Sequence, residues 1–269
     1  MKKLLILILA GILALSVSGC GNSGTAQQQA TITVAGSTSV QPISEALAEA
    51  FMEKNKDIKV NVQGGGSGAG IKSAQEGTAD IGSSSRELKS DEAGLTETVI
   101  CKDGILVAVN PQNTVSDLTL EQIKKIYSGD ITNWKEVGGA DQAINIVTRE
   151  AGSGTRGAFE ELVMGKDTAI SDKAVVQNTT GAVRAAVAGD ANAIGYISMA
   201  SIDDTVKVIT VEGVAGNAEN VINGTYKIQR PFLYLTKGEP AGAVKTFIDF
   251  VLSEEGQSII EQEGLVLVK

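Results

Sequence analysis

Short apolar runs alternate with amphipathic ones along almost the whole chain, and this alternation restricts the fold more than any other feature. Residues 31–35 (TITVA) predict a first strand. Pro42 then opens a helix in which Ile43, Ala46, Leu47, Ala50 and Phe51 fall at the spacing of a core-facing stripe. Residues 58–62 (IKVNV) alternate as a strand and 79–82 predict a third. A longer apolar strand over 105–110 runs into Pro111, shorter ones cover 144–148, 175–177 and 194–197, and a second long one covers 226–235. Between them lie helical stripes: Leu120, Ile123, Ile126 and Tyr127, closed by Gly129; Ala158, Phe159, Leu162 and Val163; residues 183–187; and Val244, Phe247, Ile248, Val251 and Leu252. Such alternation predicts an α/β fold, with parallel sheets and helices on both faces. The two long strands lie where the chain can leave one lobe and return. They imply lobe one from 30–107 plus 232–269, lobe two from 108–231, and a ligand cleft between lobes joined by two hinge strands. A single doubly wound domain is the alternative on length.

The ends bear on the compartment. Lys2 and Lys3 precede an almost wholly apolar stretch over 4–17, and Val17-Ser18-Gly19-Cys20 places small residues ahead of a cysteine. A basic start, a short apolar region and a small-residue cleavage site describe a signal peptide over 1–19. The stretch is short for a membrane span, which needs roughly 20 apolar residues. The register before Cys20 resembles the lipobox of bacterial lipoproteins, which implies lipidation of Cys20, anchorage to the cell membrane and an extracytoplasmic fold. Residues 21–30 hold no large apolar side chain and read, with Cys20, as a flexible tether. Cys101, beside Val99 and Ile100, is expected to be a buried small hydrophobe, and no internal disulfide is expected.

Composition narrows the chemistry. The net charge is −9, and losing Lys2 and Lys3 with the leader makes the chain more acidic still. Nucleic acid prefers a basic face, so no nucleic-acid partner is expected. Any anion site must work by short-range hydrogen bonds and dipoles, because long-range steering is repulsive. The sequence has no histidine, which removes Ser-His-Asp and Cys-His catalysis and histidine-ligated metals together. No Ser-x-x-Lys or Gly-x-Ser-x-Gly occurs either. No enzymatic activity, cofactor or metal is expected.

Three strand-to-helix turns share a composition: Gly36-Ser37-Thr38-Ser39, Gly64-Gly65-Gly66-Ser67-Gly68 and Gly152-Ser153-Gly154-Thr155. A fourth, Gly82-Ser83-Ser84-Ser85-Arg86, follows a strand without an obvious helix. Ligands of open α/β sheets bind outside the carboxyl ends of strands, where these turns sit. Glycine lets backbone amides approach an anion, and hydroxyls add donors without adding charge. Any one turn alone reads as ordinary helix capping; four in both lobes exceed what capping requires. Arg149, three residues before Gly152 at a strand end, can give two parallel N–H donors to a tetrahedral anion, the alternative being a surface arginine paired with Glu150. Arg86 and Arg156 lie close to the same turns. The G-x-G-x-x-A at 64–69 matches a dinucleotide fingerprint but is not the first βα turn, and Gly165-Lys166-Asp167 is no P-loop.

At this level the residues resemble a known family. VAGSTSVQPISEALAEAF, VQGGGSGAGI, ADIGSSSREL, IYSGDITNWKEVGG and TREAGSGTRGAFEE together are similar to the phosphate-binding protein of the bacterial phosphate ABC importer, from about residue 31 to the C-terminus. The resemblance implies a type II periplasmic-binding-protein fold that binds inorganic phosphate and delivers it to membrane permease and ATPase subunits. It maps phosphate-binding roles onto Thr38, Ser39, Ser67, Arg149, Ser153, Gly154 and Thr155, with Ser84 or Ser85 supplied by the fourth turn. Many members carry an aspartate as proton acceptor where Ser85 stands in this chain, so discrimination against sulfate is expected to be softer. Many also carry an acid two residues after the arginine; in this chain that is Ala151, with Glu150 one position earlier. Trp134 reads as a core aromatic. The protein is expected to act as a monomer. The alternatives are a binding protein for sulfate or molybdate, or a surface adhesion or signalling protein on the same fold.

Overall fold

The protein's structure, a computed structural model, describes residues 29–268. The signal peptide, Cys20 and nearly all of the tether lie outside these residues. In chain order the elements are β1 (Ala30–Gly36), α1 (Gln41–Lys54), β2 (Ile58–Gly64), α2 (Ser67–Glu76), β3 (Ile81–Ser84), β4 (Thr96–Val109), β5 (Asp117–Leu118), α3 (Leu120–Ser128), β6 (Asn145–Arg149), α4 (Gly154–Phe159), β7 (Val175–Gln177), α5 (Thr180–Gly189), β8 (Ala193–Ser198), β9 (Lys207–Val208), β10 (Thr210–Val211), α6 (Ala218–Ile222), β11 (Gln229–Thr236), α7 (Gly242–Val251) and α8 (Glu254–Gln262).

The fold is α/β, as the alternation predicts, but the sheet is mixed rather than parallel. Its order is β2-β1-β3-β11-β4-β8-β6-β7, with β9 beside β4. β1, β2 and β3 run parallel, as do β6, β7 and β8. β11 is antiparallel to β3 and to β4, and β4 is antiparallel to β8. The reason is connectivity: one strand carries the chain out of the first lobe and another carries it back, so the two oppose each other. β4 serves both lobes. Its residues from Thr96 to Gly104 pair with β11, and those from Ile105 to Val109 pair with β8.

Apolar burial follows the same division. Ile32, Ile43, Leu47, Phe51, Phe247 and Val251 belong to one core, Ile105, Tyr127, Trp134, Phe159, Tyr196 and Ile228 to the other. The stripe of α1 faces the first core through Ile43, Leu47 and Phe51, with Pro42 in its first turn. α3 is closed by Gly129 in the left-handed conformation, and the amide of Gly129 donates to Ile126. Trp134 and Cys101 are both buried.

Several boundaries differ from expectation. β3 begins at Ile81 rather than at 79, because Asp80 is used in a turn where its carboxylate accepts the Thr33 amide. Tyr226 precedes β11 instead of opening it, and its hydroxyl donates to the Ile105 carbonyl. The helix after β6 widens into a π turn over Glu160–Met164, with the Gly165 amide donating to Glu160 at 2.8 Å. A further helix, α8, capped by Ser253, follows the stripe of α7.

Candidate anion-binding cleft

The glycine turns meet because their strands are parallel and in register. Gly36 pairs with Gly64 on one side and Ser83 on the other, so the carboxyl ends of β1, β2 and β3 lie together. Gly36 has φ +144, and a Cβ there would lie 2.2 Å from the Ser83 carbonyl; only glycine fits. Beyond these ends Ser37, Ser67 and Ser85 form a buried hydroxyl cluster. Ser37 donates to Ser85 at 2.8 Å, and the Ser67 hydroxyl accepts the Ser85 amide at 3.0 Å.

Lobe two brings its own strand ends alongside. Arg149, the last residue of β6, is level with Gln177, the last of β7. Ser153 caps α4 by accepting the Arg156 amide, and Gly154 and Thr155 follow in the first turn. Thr180 begins α5 after the cap at Thr179.

The two lobes touch through these groups. Ser39 shares hydrogen bonds with Thr155 at 2.9 Å and with Thr180 at 2.8 Å, and Thr38 with Thr180 at 3.2 Å. Arg149 donates from Nη2 to the Thr38 hydroxyl and from Nη1 to that of Thr180, each at 3.2 Å. The Gly68 amide donates to the Gly152 carbonyl at 3.0 Å. Gly154 faces lobe one so closely that a Cβ would sit 2.2 Å from the Ser67 hydroxyl and 2.7 Å from that of Ser85. The cleft is therefore closed around one guanidinium and a set of hydroxyls.

Arg149 is 2% exposed, and Glu150 grips it through Nε and Nη2, each at 2.9 Å. Its backbone is held too: the Arg149 amide donates to the Tyr196 hydroxyl, and Arg156 Nη1 donates to the Arg149 carbonyl. Burial pushes the Tyr196 phenol up to about 12, against the pull of its bond with Thr148. Its ring stacks on Phe159 at 4.1 Å, which fixes the platform beneath the arginine. Chemically, neutral donors plus one guanidinium that keeps N–H groups beyond its pair with Glu150 suit a small tetrahedral oxyanion. A surface cavity of about 540 Å³ beside α8 carries Glu254 and Glu261 and no cation, so it does not compete for that role.

Of the residues expected from sequence, Thr38, Ser39, Ser67, Ser85, Arg149, Gly154 and Thr155 converge in this cleft. The hydroxyl of Ser153 is engaged as the cap of α4. That of Ser84 turns away, donating to the Arg86 carbonyl at 2.9 Å. Arg86 donates from Nη1 and Nη2 to the two oxygens of Glu92, and Arg156 from Nε to Glu160. Two participants are additional: Ser37, from the first glycine turn, and Thr180. The run from Asn178 to Gly181 has the same strand, hydroxyl and helix composition as the other turns, and that signal could have found Thr180.

A family model described as a PBP superfamily domain matches residues 21–255. A phosphate-binding protein PstS from Bacillus subtilis (strain 168) is 34% identical over 285 residues, covering 99% of this chain and 94% of the relative. The chain belongs to the PBP superfamily and, within it, to the PstS phosphate-binding proteins. Among solved structures, a phosphate ABC transporter substrate-binding protein from Clostridium perfringens, determined with phosphate bound, is 48% identical with a TM-score of 0.87 and covers 89% of this chain and 100% of that one. An ABC-type phosphate transport receptor from Vibrio cholerae is 41% identical with a TM-score of 0.74, covering 88% and 99%. The chain thus has the type II periplasmic-binding-protein fold that the family resemblance implies, built on the α/β strand–helix order.

Proposed function

We infer that this protein captures inorganic phosphate outside the cytoplasm and delivers it to the permease and ATPase subunits of an ABC importer. The observation that carries the reading is the meeting of Arg149 with the hydroxyls of Thr38 and Thr180 from opposite lobes. In the proposed complex Thr38, Ser39, Ser67 and Ser85 of lobe one and Arg149, Gly154, Thr155 and Thr180 of lobe two replace the water shell of the anion. Each such bond contributes about 0.5–3 kcal/mol net. Ser153 and Ser84 act one step removed, by holding their turns.

Lobe one spans 30–107 with 232–269 and lobe two 108–231. The change of core at Gly104–Ile105 and again at Ile228–Gln229 supports crossings close to these limits. Cys20 carries the lipid that tethers a monomeric carrier to the cell membrane; among the described residues no helix is long and apolar enough to cross one. The protein acts as a carrier and turns nothing over.

Calorimetric titration of the mature protein with phosphate, arsenate, sulfate and molybdate tests the reading. Phosphate and arsenate are expected to bind far more tightly than molybdate, with sulfate between them. Sulfate binding equal to or tighter than phosphate would sink the phosphate assignment and leave an oxyanion carrier of another class.

A further inference from the structure

Two charges lie buried where the strands cross between the lobes. Asp103 on β4 and Arg230 on β11 are register partners, and their side chains are 0% and 2% exposed. Arg230 donates from Nε and Nη2 to Asp103 Oδ2 at 2.9 and 2.8 Å. Their remaining bonds leave the crossing. Arg230 Nη1 donates to the Ser85 carbonyl at 3.1 Å. Asp103 Oδ1 accepts from the Ser198 hydroxyl at 2.8 Å and from the Met199 amide at 3.0 Å. One ion pair therefore joins both crossing strands, the Ser85 turn of lobe one and the end of β8 in lobe two.

Such a pair is an expensive way to stabilise a strand crossing. Apolar side chains of similar volume are often as good or better, because neither charge must leave water. What apolar residues cannot do is hold a carbonyl. With its carbonyl held by Arg230, the Ser85 peptide directs its amide to Ser67 at 3.0 Å, and its hydroxyl lies with those of Ser37 and Ser67. Met199 packs against both cores, so a shift of lobe two reaches Asp103 directly.

We propose that Asp103 and Arg230 are positioning residues of the anion cleft: Arg230 fixes the Ser85 peptide, and Asp103 makes that fixation depend on the seating of lobe two at Ser198 and Met199. The ligand arm of the test rests on the phosphate reading; the exchange arm does not. In the double variant Asp103→Leu/Arg230→Met the pair becomes apolar at similar volume. Amide hydrogen exchange of the ligand-free protein should show the Ser85 amide exchanging at least tenfold faster, with α3 and α7 unchanged. Phosphate affinity should fall at least tenfold, while the ligand-free unfolding midpoint holds or rises. A Ser85 amide that exchanges as in the parent overturns the proposal, and so does parental affinity. Should the double variant not fold, Arg230→Lys, which keeps a charge beside Asp103 and loses the reach to Ser85, takes its place with the same readings. A parent without phosphate affinity would refute the functional reading alone, leaving the exchange arm to decide this one.

Discussion

Glu150 holds Arg149 from the next position in the chain, its two oxygens meeting Nε and Nη2 at 2.9 Å each. Neighbours in sequence point to opposite sides of a strand, but Arg149 ends β6, and the turn that follows swings Glu150 back onto the guanidinium. The arginine keeps Nη1 and part of Nη2 for Thr180 and Thr38. Within the protein Glu150 is thus its counter-charge.

Replacing that charge should be felt before any ligand is added. Breaking a buried pair costs about 3–5 kcal/mol, and with the Glu150 side chain 29% exposed a loss of about 1–2 kcal/mol is expected for Glu150→Gln. Phosphate should then stabilise the variant more than the parent, since it becomes the main counter-charge of Arg149. Thermal unfolding with and without phosphate checks both halves. A ligand-free midpoint equal to that of the parent would show that Glu150 does not neutralise the arginine.

Arg149→Ala should weaken phosphate binding more than 100-fold, taking the charge-assisted contacts as about 3 kcal/mol. Arg149→Lys should recover little, because an ammonium cannot reach Glu150, Thr38 and Thr180 together. Calorimetry decides this; a change below threefold would make Arg149 a structural arginine.

The Thr180 hydroxyl meets those of Thr38 and Ser39 and accepts from Arg149 Nη1, and Thr180→Ala should weaken phosphate about tenfold, as expected for one bond of about 1–1.5 kcal/mol. Thr180→Ser keeps the oxygen and should bind within a factor of about three of the parent. Equal losses in the two variants would point to the methyl group instead.

Alkaline stability follows from buried phenols. Burial raises Tyr127, Tyr226 and Tyr234 above the ordinary range and Tyr196 to about 12. The fold keeps these protons where the unfolded chain releases them near pH 10, so their contribution is complete below about pH 10 and declines above it, that of Tyr196 being lost as pH rises through about 12. Denaturant midpoints between pH 8 and 12 should fall most in the upper half of that range, after a smaller loss in the lower half from the Cys101 thiol, which burial also holds protonated. Tyr196→Phe should flatten the fall, and an unaltered slope would remove Tyr196 from the account.

Much of the fold can be read along the chain because burial obeys a period. Ile43, Leu47 and Phe51 are buried where a helical stripe places them. The first half of β4 is not legible in this way, because Thr96, Glu97 and Thr98 are polar and lie partly in solvent, an edge pattern that local composition does not mark as a strand. Ser84 and Ser85 cannot be separated from sequence, since a one-residue slip in a strand reverses which side chain faces the cleft. Thr180 escapes although β7 before it is legible, because its turn, Asn178-Thr179-Thr180-Gly181, lacks the glycine ahead of the hydroxyls that marks the other turns. Asp103 and Arg230 stand 127 residues apart and meet only through β-sheet register, which no local pattern encodes.

Gly154→Ala separates closure from folding. The added methyl would collide with Ser67 and Ser85, which belong to the opposite lobe, while within its own lobe Gly154 lies in the first turn of α4, where alanine is a better helix former. Opening the hinge relieves the clash at no cost to either core, so the ligand-free unfolding midpoint should hold or rise slightly. Phosphate affinity should fall more than 100-fold, because the hydroxyls of the two lobes can no longer meet on one anion. Small-angle scattering should show a larger radius of gyration that phosphate fails to reduce. Tight binding by this variant would mean that one lobe holds the anion alone, and that the contact of Arg149 with Thr38 across the cleft is not what binds it.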